Sequence, residues 1–338
     1  MILHSQWDTH IIMKNKKAVI IIISLFYLFF SCSFLFSNSL QINFSIEPEF
    51  GFLDGTITEN VWNASMTNKA SSVVYEKTTL LSRLDWQIDN TPYIGAQGKI
   101  RFNRVILFDF CFRTAFKTKC GMMEDYDWKI ISKPDHLTNY SIHNNNIISF
   151  NQGNINLGYV FIPNTPEPIH IIPKIGISFF SFDFTGSGGY KTYEFENWEK
   201  IFFPNEIVIE YMQKYIAPRI SLYCILSAEC PFEVTLGTGL SYVNQFDAYD
   251  LHEKRHEYFN DSIINSWIID HEIQLFCTIN KHNKIGFRTC INVMLDSIGF
   301  TYYSSKTKNK FSKTPTYGSL GGTDHFILTY GLVYCFYL

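Results

Sequence analysis

The stretch HFILTYGLVYCFYL, residues 325–338, decides the fold: Phe326, Leu328, Tyr330, Leu332, Tyr334, Phe336 and Leu338 fill every even position, while the odd set includes His325, Thr329 and Gly331. Successive side chains of a β-strand point to opposite faces, so one face of this segment is wholly apolar and aromatic. The same period of two runs through Phe232, Val234, Leu236, Leu240 and Tyr242, set against Glu233, Thr235, Gly237, Gly239 and Ser241. It returns at Ile285, Phe287, Ile291, Val293 and Leu295, against Lys284, Arg288 and Asn292. A strand between lipid and a lumen reads this way. So does a strand of a soluble sandwich, and the connections must decide between them.

Working outward, the pattern predicts ten strands, at 40–56, 80–101, 104–118, 144–161, 168–184, 213–227, 231–246, 263–280, 283–302 and 323–337. Their connections alternate in length. Short turns fall near Asn103, at 163–167, near Glu229 and at 281–283, and long polar loops at 57–79, 119–143, 185–212, 247–262 and 303–322. That alternation, with an even strand number, is the habit of outer-membrane barrels, which leave no open edge in lipid. The expected fold is therefore all-β: a ten-stranded antiparallel transmembrane β-barrel with long extracellular loops. An aromatic content of 17% suits the girdles of such a barrel, and a net charge of −3 gives no reason to expect nucleic acid.

The N-terminus sets the compartment. Met13-Lys14-Asn15-Lys16-Lys17 followed by the apolar run from Ala18 to Phe36 reads as a secretory signal, with cleavage after Ser39. An uncleaved anchor and a lipoprotein cysteine at Cys32 are the alternatives. Residues 1–39 are then extension and signal, and 40–338 one barrel domain, since no Pro/Ser/Gly-rich linker divides them. Cys111, Cys224, Cys230, Cys277, Cys290 and Cys335 lie in or beside strand patterns without regular spacing, and no essential disulfide is expected.

Two dyads carry the chemistry: Asp125-Tyr126-Asp127 and Asp250-Leu251-His252. In an extended segment residues i and i+2 share a direction, so each dyad aims two proton-handling side chains at one place. Loop 119–143 joins strands three and four and loop 247–262 joins strands seven and eight, which sets the dyads across the mouth of a ten-strand ring.

The segments around them carry a resemblance. LSRLDW (81–86), MEDYDW (123–128), DLH (250–252), GFLDG (51–55) running into TENVW (58–62), FPN (203–205) and YMQKY (211–215) before Pro218 together resemble the omptin family of outer-membrane endopeptidases. The resemblance implies a barrel protruding from the membrane, with an endopeptidase site facing the cell exterior. It carries the catalytic roles to Asp125, Asp127, Asp250 and His252: a water attacks, His252 takes its proton as general base, Asp250 orients the imidazole, and no covalent intermediate forms. Asp125 and Asp127 are close like charges, so one should hold a proton and hydrogen-bond the developing oxyanion. Activity should then rise from mildly acidic to neutral pH.

Ser141 and His143 match family positions near the cleft and are assigned supporting roles, because the sequence shows no activating partner for Ser141. Glu59 matches an acid that binds the basic residue before the cut bond. The second acid of that pocket is replaced by Ala248, for which Asp247 is the expected substitute, and Asn139 also stands where the family often has an acid. Lys214 is the basic residue left for lipopolysaccharide, so a weak dependence on that lipid is expected. The implied partners are polypeptide substrates and outer-membrane lipid, for a monomer with no cofactor beyond lipopolysaccharide or another lipid activator.

Two rival readings remain at this level. His252-Glu253-Lys254-Arg255-His256 fits H-E-x-x-H, whose zinc chemistry needs both histidines one helical turn apart; with no amphipathic helix around it and no third ligand, no metal site is expected. A non-catalytic barrel serving as adhesin or pore is the other, although side chains largely fill the bore of a small barrel.

Overall fold

A computed structural model describes residues 41–69, 72–161, 169–227, 231–305, 311–312, 314–316 and 318–337. The expected signal segment, with Cys32, and Cys230 lie outside these residues. The strands are β1 (Ile42–Lys69), β2 (Ser72–Phe102), β3 (Ile106–Ala115), β4 (Thr118–Asp127), β5 (Asn139–Tyr159), β6 (Ile169–Tyr193), β7 (Ile201–Phe202), β8 (Ile207–Ser227), β9 (Phe232–His252), β10 (Glu257–Asn280), β11 (Asn283–Ser304) and β12 (Ser319–Tyr337).

All twelve belong to one antiparallel sheet, and β1 pairs with both β2 and β12, closing it into a ring. The ring has the expected ten staves. β3 and β4 both lie between β2 and β5 and form a single stave broken at Phe116 and Lys117, and β7 is a two-residue ladder on β6. At the closing seam Gly51 faces Gly331, and a Cβ on Gly51 would stand 2.2 Å from the Tyr330 carbonyl oxygen, so only glycine permits that approach.

The long loops are corrected. Most of 57–79, 119–143 and 247–262 is strand, and the hairpins continue paired well past the apolar alternation. Apolar alternation records which face meets lipid, whereas pairing needs only backbone groups. Where both faces of the sheet meet water the pattern vanishes and the ladder continues.

Outside, a belt of exposed apolar side chains circles the barrel through Phe50, Ile94, Ile177, Ile220, Phe287 and Leu332. Phe50 is in register with Leu332 and Leu332 with Phe287, and Tyr242 packs on Trp267 at 4.8 Å above it. Inside, buried charges neutralise one another. Arg288 donates to Glu47, to Glu49 at 2.6 Å and to Gln97 at 2.6 Å; Arg113 donates to Glu49 at 3.2 Å; Arg219 binds Asp270. Above this layer Trp86 stacks on Phe184 and on Tyr211, both at 5.7 Å, and Phe182, Phe180 and Tyr215 complete an aromatic plug. The six described cysteines carry free thiols.

Arg288 is wholly buried between two carboxylates. Arg288→Met should leave Glu47 with Lys99 alone and Glu49 with Arg113 alone, a buried cluster one positive charge short, and cost about 3–5 kcal/mol. The urea midpoint of the refolded barrel in detergent reads this directly, and an unchanged midpoint would refute it.

Candidate active site

The protruding sheet above the aromatic plug carries both dyads. Asp125 and Asp127 lie on β4, in register with Leu84 and Ser82 of β2 and with Ser141 and Asn139 of β5. Asp250 and His252 end β9, in register with Tyr211 and Ile209 of β8 and with Phe259 and Glu257 of β10. Each dyad skips one residue on a strand, so both members face inward. Asp125, Asp127 and His252 line a single cleft of about 270 Å³, shared with Ser141 and His143.

On the β9 side, His252 Nε2 lies 2.7 Å from Asp250 Oδ2, and Arg255 Nη2 lies 2.6 Å from His252 Nδ1. A guanidinium can only donate, so Nδ1 is the unprotonated nitrogen and Nε2–H is donated to Asp250. The histidine is thus oriented by a carboxylate, with its basic nitrogen capped by an exposed arginine.

On the β4 side the two aspartates are unequal. Asp127 Oδ2 accepts from Lys129 Nζ at 3.0 Å and from Asn139 Nδ2 at 3.0 Å. Asp125 has no cation bonded to it, and burial, with Asp127 and Asp250 beside it, pushes its carboxyl up to about 7. The proton of the pair therefore rests on Asp125.

Ser141 does have a partner, contrary to the sequence reading. Its Oγ lies 3.1 Å from His143 Nε2, while His143 Nδ1 lies 2.7 Å from the Gly188 carbonyl. A bond to a carbonyl requires the proton on Nδ1, so Nε2 accepts from the serine. Burial pushes the His143 imidazole down, toward its neutral form. Gly188 and Gly189 have φ of 58° and 83°, and this left-handed turn in β6 presents the carbonyl to His143.

Glu59, on β1, is buried with one carboxylate oxygen unpartnered, and burial together with Asp250, Asp261 and Asp125 pushes its carboxyl well up. Asp261 is the residue that the sequence reading missed. It lies on β10 directly opposite Ala248, is 3% exposed, has Oδ1 unpartnered, and is pushed up to about 7 by burial, with Asp250 adding to it. Cross-strand partners share a face, so Asp261 brings a carboxyl to the face on which Ala248 has none. Counting outward from the turn at 253–256 would have found it.

Asp247 does not reach the cleft. It alternates with Ala248 and Asp250, is exposed on the outer face, and sits in register with Lys214, which is exposed there as well. The HEKRH segment forms no helix: His252 ends β9 and residues 253–256 are the turn, with His256 at a φ of 52°. The one-turn spacing that zinc chemistry needs is therefore lacking.

Comparison with known proteins gives the family and the fold. A sequence model described as the Omptin family matches residues 41–336. The outer membrane protease OmpT from Escherichia coli superposes with a TM-score of 0.71 at 20% identity, covering 88% of this chain and 99% of that one, and shares its fold. The outer membrane protein OprG from Pseudomonas aeruginosa gives 0.32 at 10% identity over 87% and 95% of the two chains. No curated protein sequence matches.

An unfolded chain releases aspartate protons near 3.8, whereas folded Asp125 and Asp261 keep theirs until about 7. Their contribution to stability is therefore greatest below the ordinary value, falls as pH rises through this window and levels off above it. Asp125→Asn cannot ionise, so it should gain stability relative to the unaltered chain between those two pH values. Urea midpoints taken from pH 4 to 8 measure the difference, and one that stays constant with pH contradicts the assignment.

Proposed function

The chain belongs to the Omptin family, whose fold it shares with an outer-membrane protease, and on that premise we propose that it is an endopeptidase of the bacterial outer membrane whose cleft faces the cell exterior. The single observation that carries this reading is the pairing of an oriented histidine with a proton-bearing aspartate across one cleft. A substrate peptide bond lies between β4 and β9. A water held there attacks the carbonyl carbon and gives its proton to His252, whose Nδ1 becomes free when Arg255 swings away. Asp125 lends its proton as a hydrogen bond to the oxyanion, and Asp127 stays a carboxylate between Lys129 and Asn139. Collapse of the tetrahedral intermediate returns the histidine's proton to the leaving amine, giving a new carboxylate and a new N-terminus.

Glu59 and Asp261 are the proposed pocket for the basic side chain before the cut bond. Two buried carboxyls with unpartnered oxygens are unfavourable alone and are relieved by a bound cation. The reaction as proposed uses no metal, and Lys214, exposed on the outer face, is the proposed lipopolysaccharide contact. The aromatic plug across the bore speaks against a diffusion pore.

Cleavage of basic and mixed peptides by the refolded chain, with and without added lipopolysaccharide, tests the reading. His252→Ala and Asp125→Asn should each lose about 10²–10⁴-fold in kcat/KM. Ser141→Ala should lose less than either, and a chelator should change nothing. Total loss in Ser141→Ala would point to a serine nucleophile bonded to His143; loss with chelator, restored by Zn²⁺, would point to metal. A chain that cleaves none of the peptides is not a protease.

The pocket has its own test. Asp261→Asn should narrow the preference for arginine over glutamine before the cut bond by about tenfold, about the worth of one charge-assisted contact. An unchanged preference would remove Asp261 from the pocket.

A further inference from the structure

One row of residues crosses five strands through the site. Glu59 of β1 is in register with Leu84 of β2, Leu84 with Asp125 of β4, Asp125 with Ser141 of β5, and Ser141 with Lys191 of β6. Cross-strand partners share a face, so the row is continuous, with Asp125 in its middle. Two strand spacings, roughly 9–10 Å of backbone, separate Asp125 from an acid on one side and from a lysine on the other.

Lys191 lines the cleft with Asp125 and Ser141 and is half-buried. Its Nζ donates to the Tyr193 hydroxyl at 3.0 Å and lies 4.8 Å from the Tyr193 ring centroid and 5.7 Å from that of Phe203. These aromatic contacts hold the ammonium in place but do not neutralise it. The other cations around the cleft are engaged: Lys129 with Asp127, Lys254 with Glu206, Arg255 with Glu257. Among the described residues no carboxylate is bonded to Lys191. Its partners across the sheet, Ser141 and Ile201, are neutral, and Asn139, opposite Tyr193, already donates to Asp127. A fixed, partly desolvated cation without an anion is the mirror image of the Glu59–Asp261 pocket and selects the opposite charge.

We propose that Lys191 forms an anion subsite for a substrate carboxylate on the side of the cut bond away from Glu59 and Asp261. The carboxylate is an Asp or Glu side chain, or the C-terminus of a short peptide. This deepens the protease reading and rests on it. The row makes the preferred substrate electrically polar, with a basic residue before the bond and an acid about one to three residues beyond it, the reach of extended peptide over that distance.

The test uses the refolded full chain and peptides with a single arginine. Glu, Gln or Lys is placed one, two or three residues beyond it, each peptide with a free or an amidated C-terminus. Binding to the Asp125→Asn chain is read by fluorescence polarisation, and cleavage by the unaltered chain is read separately. At one spacing Glu should bind about five- to tenfold tighter than Gln, as a partly desolvated charge pair would give. The ratio should vanish in Lys191→Gln, invert toward Lys in Lys191→Glu and persist in Lys191→Arg. A preference confined to free over amidated ends identifies the C-terminus as the source. Equal binding of Glu and Gln at every spacing with both kinds of end overturns the proposal, as does a preference that survives in Lys191→Gln. Failure of the protease reading is distinct: the unaltered chain then cleaves nothing, while the binding ratios are still measured.

Discussion

The continuity of backbone hydrogen bonding around and up the barrel is the constraint on which everything else rests. Within lipid the ring must close, because an unpaired backbone amide there has no water to bind. Above the lipid belt that necessity lapses, yet the ladders of β1–β2, β4–β5 and β9–β10 continue. The proposed catalytic groups hang from this paired backbone and not from loops. Their spacing is therefore set by strand pairing: Asp125, Asp127 and His252, on two separate staves, face one cleft with Asp250 behind the histidine, because alternation fixes which side chains face inward.

The barrel treats buried charge in two opposite ways. In the lumen Arg288, Arg113 and Arg219 are matched to Glu47, Glu49 and Asp270, and the carboxylates meet guanidinium donors. Near the cleft Glu59, Asp250 and Asp261 each keep a carboxyl oxygen without a partner. Burial first, and like acids beside them second, raise Glu59, Asp125 and Asp261 together. The first arrangement closes a bore. The second leaves a local instability that a cation relieves, and the strong lumen and aromatic plug beneath it allow the fold to carry that cost.

Much of this was legible in the sequence. Period-two alternation in 232–242, 285–295 and 325–338 marked the staves, and i,i+2 spacing rightly put both dyads on inward faces. Where the strands run on past the apolar pattern, the sequence lacks contrast because both faces there meet water. Parity alone would have excluded Asp247, which is out of phase with Asp250. The relation of Asp261 to Ala248 is a cross-strand one, visible only once the hairpin register is counted. The Ser141–His143 bond depended on the Gly188 carbonyl, a tertiary neighbour that no local spacing announces.

The pairing of Ala248 with Asp261 bears on how a charge can be placed in such a cleft. On a paired sheet a side chain's neighbourhood is two-dimensional, so a charge can migrate sideways to the adjacent strand and still occupy the same volume of the cleft. Read position by position, residue 248 offers no acid; read by hairpin register, Asp261 stands beside it. What a ligand meets is the electrostatic potential at a point in space, and hairpin register is the coordinate in which that potential can be read from a barrel's sequence.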